Sequence, residues 1–235
     1  MDTIRINKFF TEHGICSRRE ADRLIESGRV TINNVVAKHG DQVGHEDVVA
    51  KDGQAIPWGQ ARVYIKYHKP VGVTTTSESH VPRNIIREIG HPERIFPIGR
   101  LDKDSSGLIL LTNDGDIVNQ ILRVEFGHER EYEVTVDRPL DQAVLDRLSA
   151  GVVILGSKTR PCRVERLGAR RFRIVLTEGR NRQIRRMCQA VGYRVLTLHR
   201  VRIMHITLAG LPSGTWKPLS SPEQQELLAV IRRNH

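Results

Sequence analysis

Leu108-Ile109-Leu110-Leu111 is a continuous apolar run too short for a buried helix. A run of this length reads as a β-strand covered on both faces. It therefore demands a sheet with material packed above and below. The segments around it supply one. Val63–Tyr67, Tyr132–Val136, Arg171–Thr177 and Val201–Leu208 all read as strands, with helices over Asn84–Ile89, Leu140–Ala150 and Arg182–Ala190. Helices do not regularly separate the strands. The expectation is an α+β fold: a mixed, mainly antiparallel sheet with flanking helices.

Residues 3–62 read as a smaller unit. Thr3 is expected to cap a helix carrying Ile6, Phe9 and Phe10 and stopped by Gly14. Ser17-Arg18-Arg19-Glu20 is a capping box, followed by Ala21, Leu24 and Ile25 at helical spacing and a C′ glycine, Gly28. Arg29–Val35 reads as a strand running into an Asn33-Asn34 turn, and a further turn and strand follow between Asp41 and Val49. The stretch 52–62 has the Gly, Pro and polar content of a linker, which sets the domain expectation at 3–62 and 63–235.

The net charge is +10, but its placement matters more. Residues 160–202 hold 13 Arg, no Lys and only Glu165 and Glu178 as acids, which is net +11. Arg favours planar, bidentate phosphate contacts. The segment reads as a nucleic-acid-binding face rather than a solvated one, because solvated faces mix both signs. Three Cys without a CxxC pair exclude a disulfide framework or zinc knuckle and fit a reducing cytoplasm. No apolar run reaches the ~18 residues that cross a bilayer, and the first ten residues lack a secretory h-region.

Three segments can carry chemistry. Gly99-Arg100-Leu101-Asp102-Lys103-Asp104-Ser105-Ser106-Gly107 is a polar loop entering the buried strand, with Asp102 between two cations. Nearby positive charge keeps a carboxylate ionised, ready as nucleophile or base. The spacing of Asp102, Asp104 and Ser106 imitates a calcium loop, but Asn113 stands where the closing Glu belongs. A turn whose Asp residues bond local backbone remains open. Glu178-Gly179-Arg180-Asn181-Arg182-Gln183-Ile184-Arg185-Arg186 places a turn and helix start among Arg side chains, suited to phosphate, with Ile184 and Met187 turned to the core. An amphipathic helix with a basic face is the alternative. Tyr132 can stack on a base and handle a proton, or simply pack. No metal-ligand spacing, P-loop or dinucleotide fingerprint is present, so no metal or cofactor is expected.

GRLDKDSSGLILLTNDG, the Tyr132 segment and LTEGRNRQIRRM together resemble the RsuA-type pseudouridine synthases of bacterial ribosomal RNA, across nearly the whole chain. Residues 3–62 resemble the RNA-binding domain first named in ribosomal protein S-four. The spans FPIGRLDKDSSGL, EGRNRQIRRMC and RVRIMHITLAGLPSGTW are most similar to a subgroup acting on large-subunit (23S) rRNA. The resemblance implies a cofactor-free isomerisation of uridine to pseudouridine on a flipped-out base. Asp102 would be the catalytic carboxylate, Tyr132 would stack on the uracil and move a proton, and Arg185 would pair with Asp102. Arg100 would hold the RNA open and Leu176 would pack beneath the base. Lys103, Arg182 and Gln183, with Leu101, Ile184 and Arg186, would make further RNA contacts. In the small domain Arg5, Lys8, Arg18 and Arg19 would grip RNA, with Arg23 and Arg29 as further candidates. The implied partner is ribosomal RNA, with 16S rRNA or tRNA as alternative substrates, and the implied state is a cytoplasmic monomer without membrane contact. A noncatalytic ribosome-assembly factor is the alternative from another class.

Overall fold

The computed structural model describes residues 3–59, 61–78 and 80–233. The chain divides into two compact units. One comprises the N-terminal residues to Val63 with His91–Ile95 and Thr112–Gly115; the other comprises Tyr64–Gly90, Phe96–Leu111 and the residues from Asp116 onward.

The smaller unit contains β1 (Ile4–Arg5), α1 (Ile6–Glu12), α2 (Arg18–Glu26), β2 (Val30–Ile32), β3 (Val35–Val36), β4 (Gln42–Val43), β5 (Val49–Lys51) and β6 (Gln54–Ala55). Strand order is β3-β2-β5-β6, with β1 paired to β4 apart. The capping box forms its first half: Ser17 Oγ accepts from Glu20 N at 3.2 Å, and Gly28 follows at φ +68°. Asn33 and Asn34 take φ of +50° and +66°, the left-handed pair that a two-residue hairpin requires. Phe9, Phe10, Ala21, Leu24 and Ile25 close a small core.

Two expectations fail here. Thr3 caps nothing: Ile4 and Arg5 form a strand, and Arg5 precedes α1 without a side-chain cap, while Thr3 Oγ1 bonds Gln42 Oε1. Residues 52–58 are not a linker. Asp52-Gly53 is a hairpin turn of the Asp-Gly type into β6, Ile56 is buried, and Trp58 packs edge-on against Phe9 at 4.7 Å.

The larger unit continues with β7 (Tyr64–Lys69), α3 (Ile85–Ile89), β8 (Phe96–Ile98), β9 (Ser106–Thr112), α4 (Gly115–Leu122), β10 (Arg130–Val136), α5 (Gln142–Ser149), β11 (Val153–Ile154), β12 (Ser157–Lys158), β13 (Arg163–Gly168), β14 (Arg171–Leu176), α6 (Gln183–Ala190), β15 (Val195–Ile203), β16 (Ile206–Thr207), β17 (Trp216–Pro218) and α7 (Ser221–Arg233). The main sheet runs β13-β14-β10-β15-β9-β7-β17, with β16 on β15 and β8 on β9. The pairs β13–β14, β14–β10, β10–β15, β15–β16 and β7–β17 are antiparallel, and β15 runs parallel to β9, where His199 faces Ser106 and Arg200 faces Gly107. The fold is α+β, as expected. Leu108 to Leu111 are all buried, as a strand covered on both faces must be. One core lies under α5 and α6, around Phe172, Ile174, Leu176, Ile184 and Met187; a second lies under α4 and α7, around Leu108, Leu110, Ile121 and Leu227.

The strand expected at 201–208 begins earlier, at Val195, and turns back after Ile203. Register shifts against β10 break its alternation, which hides it from a period-two reading. The positive-face expectation also needs correction. Register places Glu131 opposite Arg202 and Glu133 opposite Arg173. Arg173 meets Glu131, Glu133 and Glu165, Arg171 meets Glu133, Arg163 meets Glu129, and Arg202 meets Glu129 and Glu131. Glu129, Glu131 and Glu133, from outside 160–202, thus offset three of its charges, and this part of the sheet is a mixed ion-pair network.

Candidate active site

Gly107 fixes where the Asp102 loop sits. Its φ is +115°, and a Cβ there would collide with the Arg200 carbonyl oxygen and come within 2.5 Å of Arg200 N. Only glycine lets β9 approach β15 this closely. The loop before it is held from several sides. Thr75 Oγ1 donates to Leu101 O at 2.8 Å, and Gly72 N donates to Lys103 O at 2.7 Å. The fully buried Lys69 donates from Nζ to Ser105 O at 2.8 Å. Arg185 Nη2 donates to Asp104 O at 2.9 Å.

The helix opposite begins under strain. Arg182 precedes α6 at φ +48°, ψ +39°, where a cap residue is normally extended, and its side chain makes no cap. It reaches across instead. Arg182 Nη1 lies 3.2 Å from Asp102 Oδ2 and 3.3 Å from Asp104 Oδ1. Arg185 Nε lies 3.8 Å from Asp102 Oδ2, and its Nη2 lies 3.2 Å from Asp104 Oδ2. Burial works to raise the Asp104 carboxyl, but the hydrogen bond from Arg182 and the charges of Arg185 and Arg182 outweigh it, so Asp104 sits below the usual carboxylate range. The Asp104 hydrogen bond raises the Arg182 guanidinium in turn.

Asp102 and Arg182 border a cavity of about 410 Å³ in the larger unit. Asp102, Arg100, Leu101, Tyr132, Leu176, Arg182, Gln183 and Ile184 all line it. Leu176, Ile184 and Leu198 supply an apolar floor continuous with the core under α6. Leu101 and Ile184 are buried, so both serve as cavity wall rather than outer RNA contacts. Gln183 is also buried, holding Glu178 Oε1 at 2.8 Å. Arg185 stands behind the Asp102 loop. Lys103 borders a neighbouring cavity on the other side of the loop, and Arg186 folds back on Asn181. Arg5, Lys8, Arg18 and Arg19 lie in the smaller unit, where Lys8 pairs with Glu12 and Arg18 and Arg19 are exposed on the first turn of α2. Arg23 is tied to Glu20 and Arg29 to Asp52.

Four residues of the site are additions to the sequence reading. Lys69 and Thr75 brace the loop, and Arg130 and Arg200 line the cavity. Lys69 carried a signal, a lysine closing the strand before the Pro70 turn; Arg200 carried none, because only its cross-strand pairing with β10 and β9 brings it in. Among the described residues no cluster of His, Cys, Asp or Glu could hold a metal ion, and no helix is long and apolar enough to cross a membrane.

An aspartate set between two guanidiniums, facing a Tyr and an apolar floor, suits a flat ring and a reaction begun by a carboxylate. The sequence profile of the family described as RNA pseudouridylate synthase matches residues 63–190. The chain belongs to the RNA pseudouridylate synthase family. It is an enzyme of that class, an RNA isomerase. An S4 domain profile matches residues 4–49. The chain is 49% identical over 234 residues to the dual-specificity RNA pseudouridine synthase RluF of Escherichia coli K12, covering 99% of this chain and 81% of that one. It is 32% identical to the ribosomal large subunit pseudouridine synthase B of Bacillus subtilis, with 96% of each chain covered. Among solved structures, a crystal structure of a pseudouridylate synthase superposes with a TM-score of 0.69 at 27% identity, covering 97% of this chain and 99% of that one.

Proposed function

We propose that this enzyme converts one uridine of large-subunit (23S) ribosomal RNA to pseudouridine, with Asp102 as the catalytic carboxylate. The observation that carries the reading is the Asp102 carboxylate on the wall of a base-sized cavity, 3.2 Å from Arg182 and facing the same space as Tyr132. The C1′–N1 bond breaks, the base turns, and C1′ joins C5; C5 loses a proton and N1 gains one. Atoms and electrons balance without a redox partner. Asp102 starts cleavage by attack or by proton abstraction. Tyr132 stacks on the uracil and takes part in proton transfer, Leu176 packs beneath it, and Arg185 keeps Asp102 aimed.

The target base must first leave its stack, which costs roughly a few kcal/mol. Phosphate contacts from Arg100, Lys103 and Arg186, and from Arg5, Lys8, Arg18 and Arg19 in the S4 domain, offset that cost. The names of the Bacillus and Escherichia relatives support ribosomal RNA of the large subunit and a second RNA substrate. We take the enzyme to work as a monomer in the cytoplasm.

The test is pseudouridine mapping of rRNA and tRNA in cells lacking the protein, complemented with wild type or Asp102→Asn. Loss of one 23S site, restored by wild type alone, is the expected result. A lost site in 16S rRNA or tRNA overturns the substrate. Restoration by Asp102→Asn overturns the assignment of the carboxylate. An unchanged map overturns rRNA and tRNA as its substrates.

A further inference from the structure

Two buried cations of the cavity are left over once its ion pairs are assigned. Asp102 and Asp104 take Arg182 and Arg185, and Glu178 takes Arg180 at 3.1 Å. Arg130 and Arg200 also line the cavity and are only 8% and 3% exposed. Among the described residues neither has a carboxylate within ion-pair distance. Arg130 donates from Nη2 to Ile121 O at 3.0 Å, and Arg200 donates from Nε to Leu108 O at 2.7 Å. The Arg200 Nη2 is buried with no hydrogen-bond partner among the described residues.

Both flank Tyr132. Arg130 lies two residues before it on β10, and Arg200 faces it in register on β15. The Arg200 Cζ stands 6.0 Å from the centre of the Tyr132 ring. Burial pushes the Arg130 guanidinium below its ordinary value; Tyr132 opposes this and the Arg200 charge adds to it. Two like charges buried side by side, one with an orphan donor, destabilise a fold unless an anion comes to them. A phosphate fits poorly against the apolar floor of Leu176, Ile184 and Leu198. The reaction itself supplies the other anion. When C1′–N1 breaks, its electron pair leaves with the base, and the negative charge spreads from N1 to O2 and O4.

We propose that Arg200, with Arg130, is the counter-charge for the departing uracil: a positioning pair that backs the Tyr132 ring and meets the negative charge the base acquires. This rests on the uridine isomerisation proposed above. It gives four arginines of the site two jobs. Arg182 and Arg185 serve the carboxylate, and Arg130 and Arg200 serve the leaving group. Preorganised charge aimed at where charge develops is among the strongest catalytic devices.

The test uses an rRNA fragment that the wild-type protein modifies, carrying uridine or 5-fluorouridine at the target position. Fluorine withdraws electrons and makes the base a better leaving group, so it should depend less on a counter-charge. Arg200→Met is expected to slow single-turnover cleavage of uridine at least 100-fold, with Kd within threefold of wild type. The loss on 5-fluorouridine should be tenfold or less, and Arg200→Lys should stay within tenfold of wild type on both. Equal losses on the two bases would make Arg200 merely structural and overturn the proposal. A weakened Kd with an unchanged rate would make it a phosphate contact and do the same. If Arg200→Met does not fold, Arg130→Met is read by the same ratio. A wild-type protein inactive on every rRNA fragment would instead sink the proposed function.

Discussion

Arg182, not Arg185, makes the closest approach to Asp102: 3.2 Å against 3.8 Å at the same Oδ2. The two arginines also differ in what else they hold. Arg185, 13% exposed, donates to Asp104 O and Ser105 Oγ and so carries the loop; Arg182, 43% exposed, meets only the two carboxylates among the described residues. Exposed ion pairs contribute roughly 0–1 kcal/mol, whereas buried hydrogen bonds from a charged donor contribute about 1.5–3 kcal/mol. Arg182→Met should therefore lower kcat with Tm nearly unchanged, and Arg185→Met should lower both. Thermal melts beside single-turnover rates separate them. Equal Tm losses would refute this division of labour.

Gly107→Ala should be among the most damaging single-atom-scale changes in the chain. The new Cβ meets backbone of Arg200, which cannot swing away as a side-chain end can, and the φ of +115° is itself unfavourable. A cost of about 3 kcal/mol or more is expected, which at roughly 2–4 °C per kcal/mol for a chain of this size lowers Tm by about 6–12 °C. Gly179→Ala is the control: its Cβ meets nothing within 4 Å, and stability should hold. A Gly107→Ala protein that melts with wild type would show that β9 and β15 do not approach as described.

The local parts of the site were legible because local chemistry encodes them. The loop around Asp102 announces itself by polar residues running into an apolar strand, and α2 by its box and its glycine. The same kind of signal marked α7, where Ser220 Oγ and Glu223 cap each other reciprocally, although no helix was expected there. The rest depends on register. Nothing near Arg200 in sequence tells that it faces Gly107, or that Glu131 and Glu133 lie against Arg202 and Arg173. Counting charge along the chain therefore saw an arginine excess, where pairing across strands sees a network.

That network changes what salt should do to RNA binding. Arg171 and Arg173 are committed to glutamates, while Arg100 is exposed at the cavity and, among the described residues, has no ion pair. Arg100→Ala should weaken rRNA binding and reduce the slope of log affinity against log salt by about one. Arg171→Ala should leave the slope unchanged. Binding isotherms from 50 to 300 mM salt, on the order of conditions where such slopes are read, decide it. A slope that drops with Arg171→Ala would restore the continuous positive face.

Lys69 gives a test by pH. Burial lowers its ammonium to about 8, with Asp102 and Asp104 opposing and Arg200 adding to the shift. In the unfolded chain it titrates near its ordinary value of 10.5. Between these values the unfolded state binds the extra proton, so stability rises with pH across that window. Below pH 8 both states are protonated, and the full penalty of burying the charge is present; above 10.5 it is gone. The span corresponds to a change on the order of 3 kcal/mol. Lys69→Met removes the titration while leaving Ser105 O and Pro70 O without their donor. It should be less stable than wild type at pH 10, where neutral Lys69 still donates without paying for charge, and that gap should narrow as pH falls to 7. Urea melts of both proteins at several pH values from 7 to 10.5 measure it. A gap that is constant with pH would mean that Lys69 titrates in the fold as it does in water.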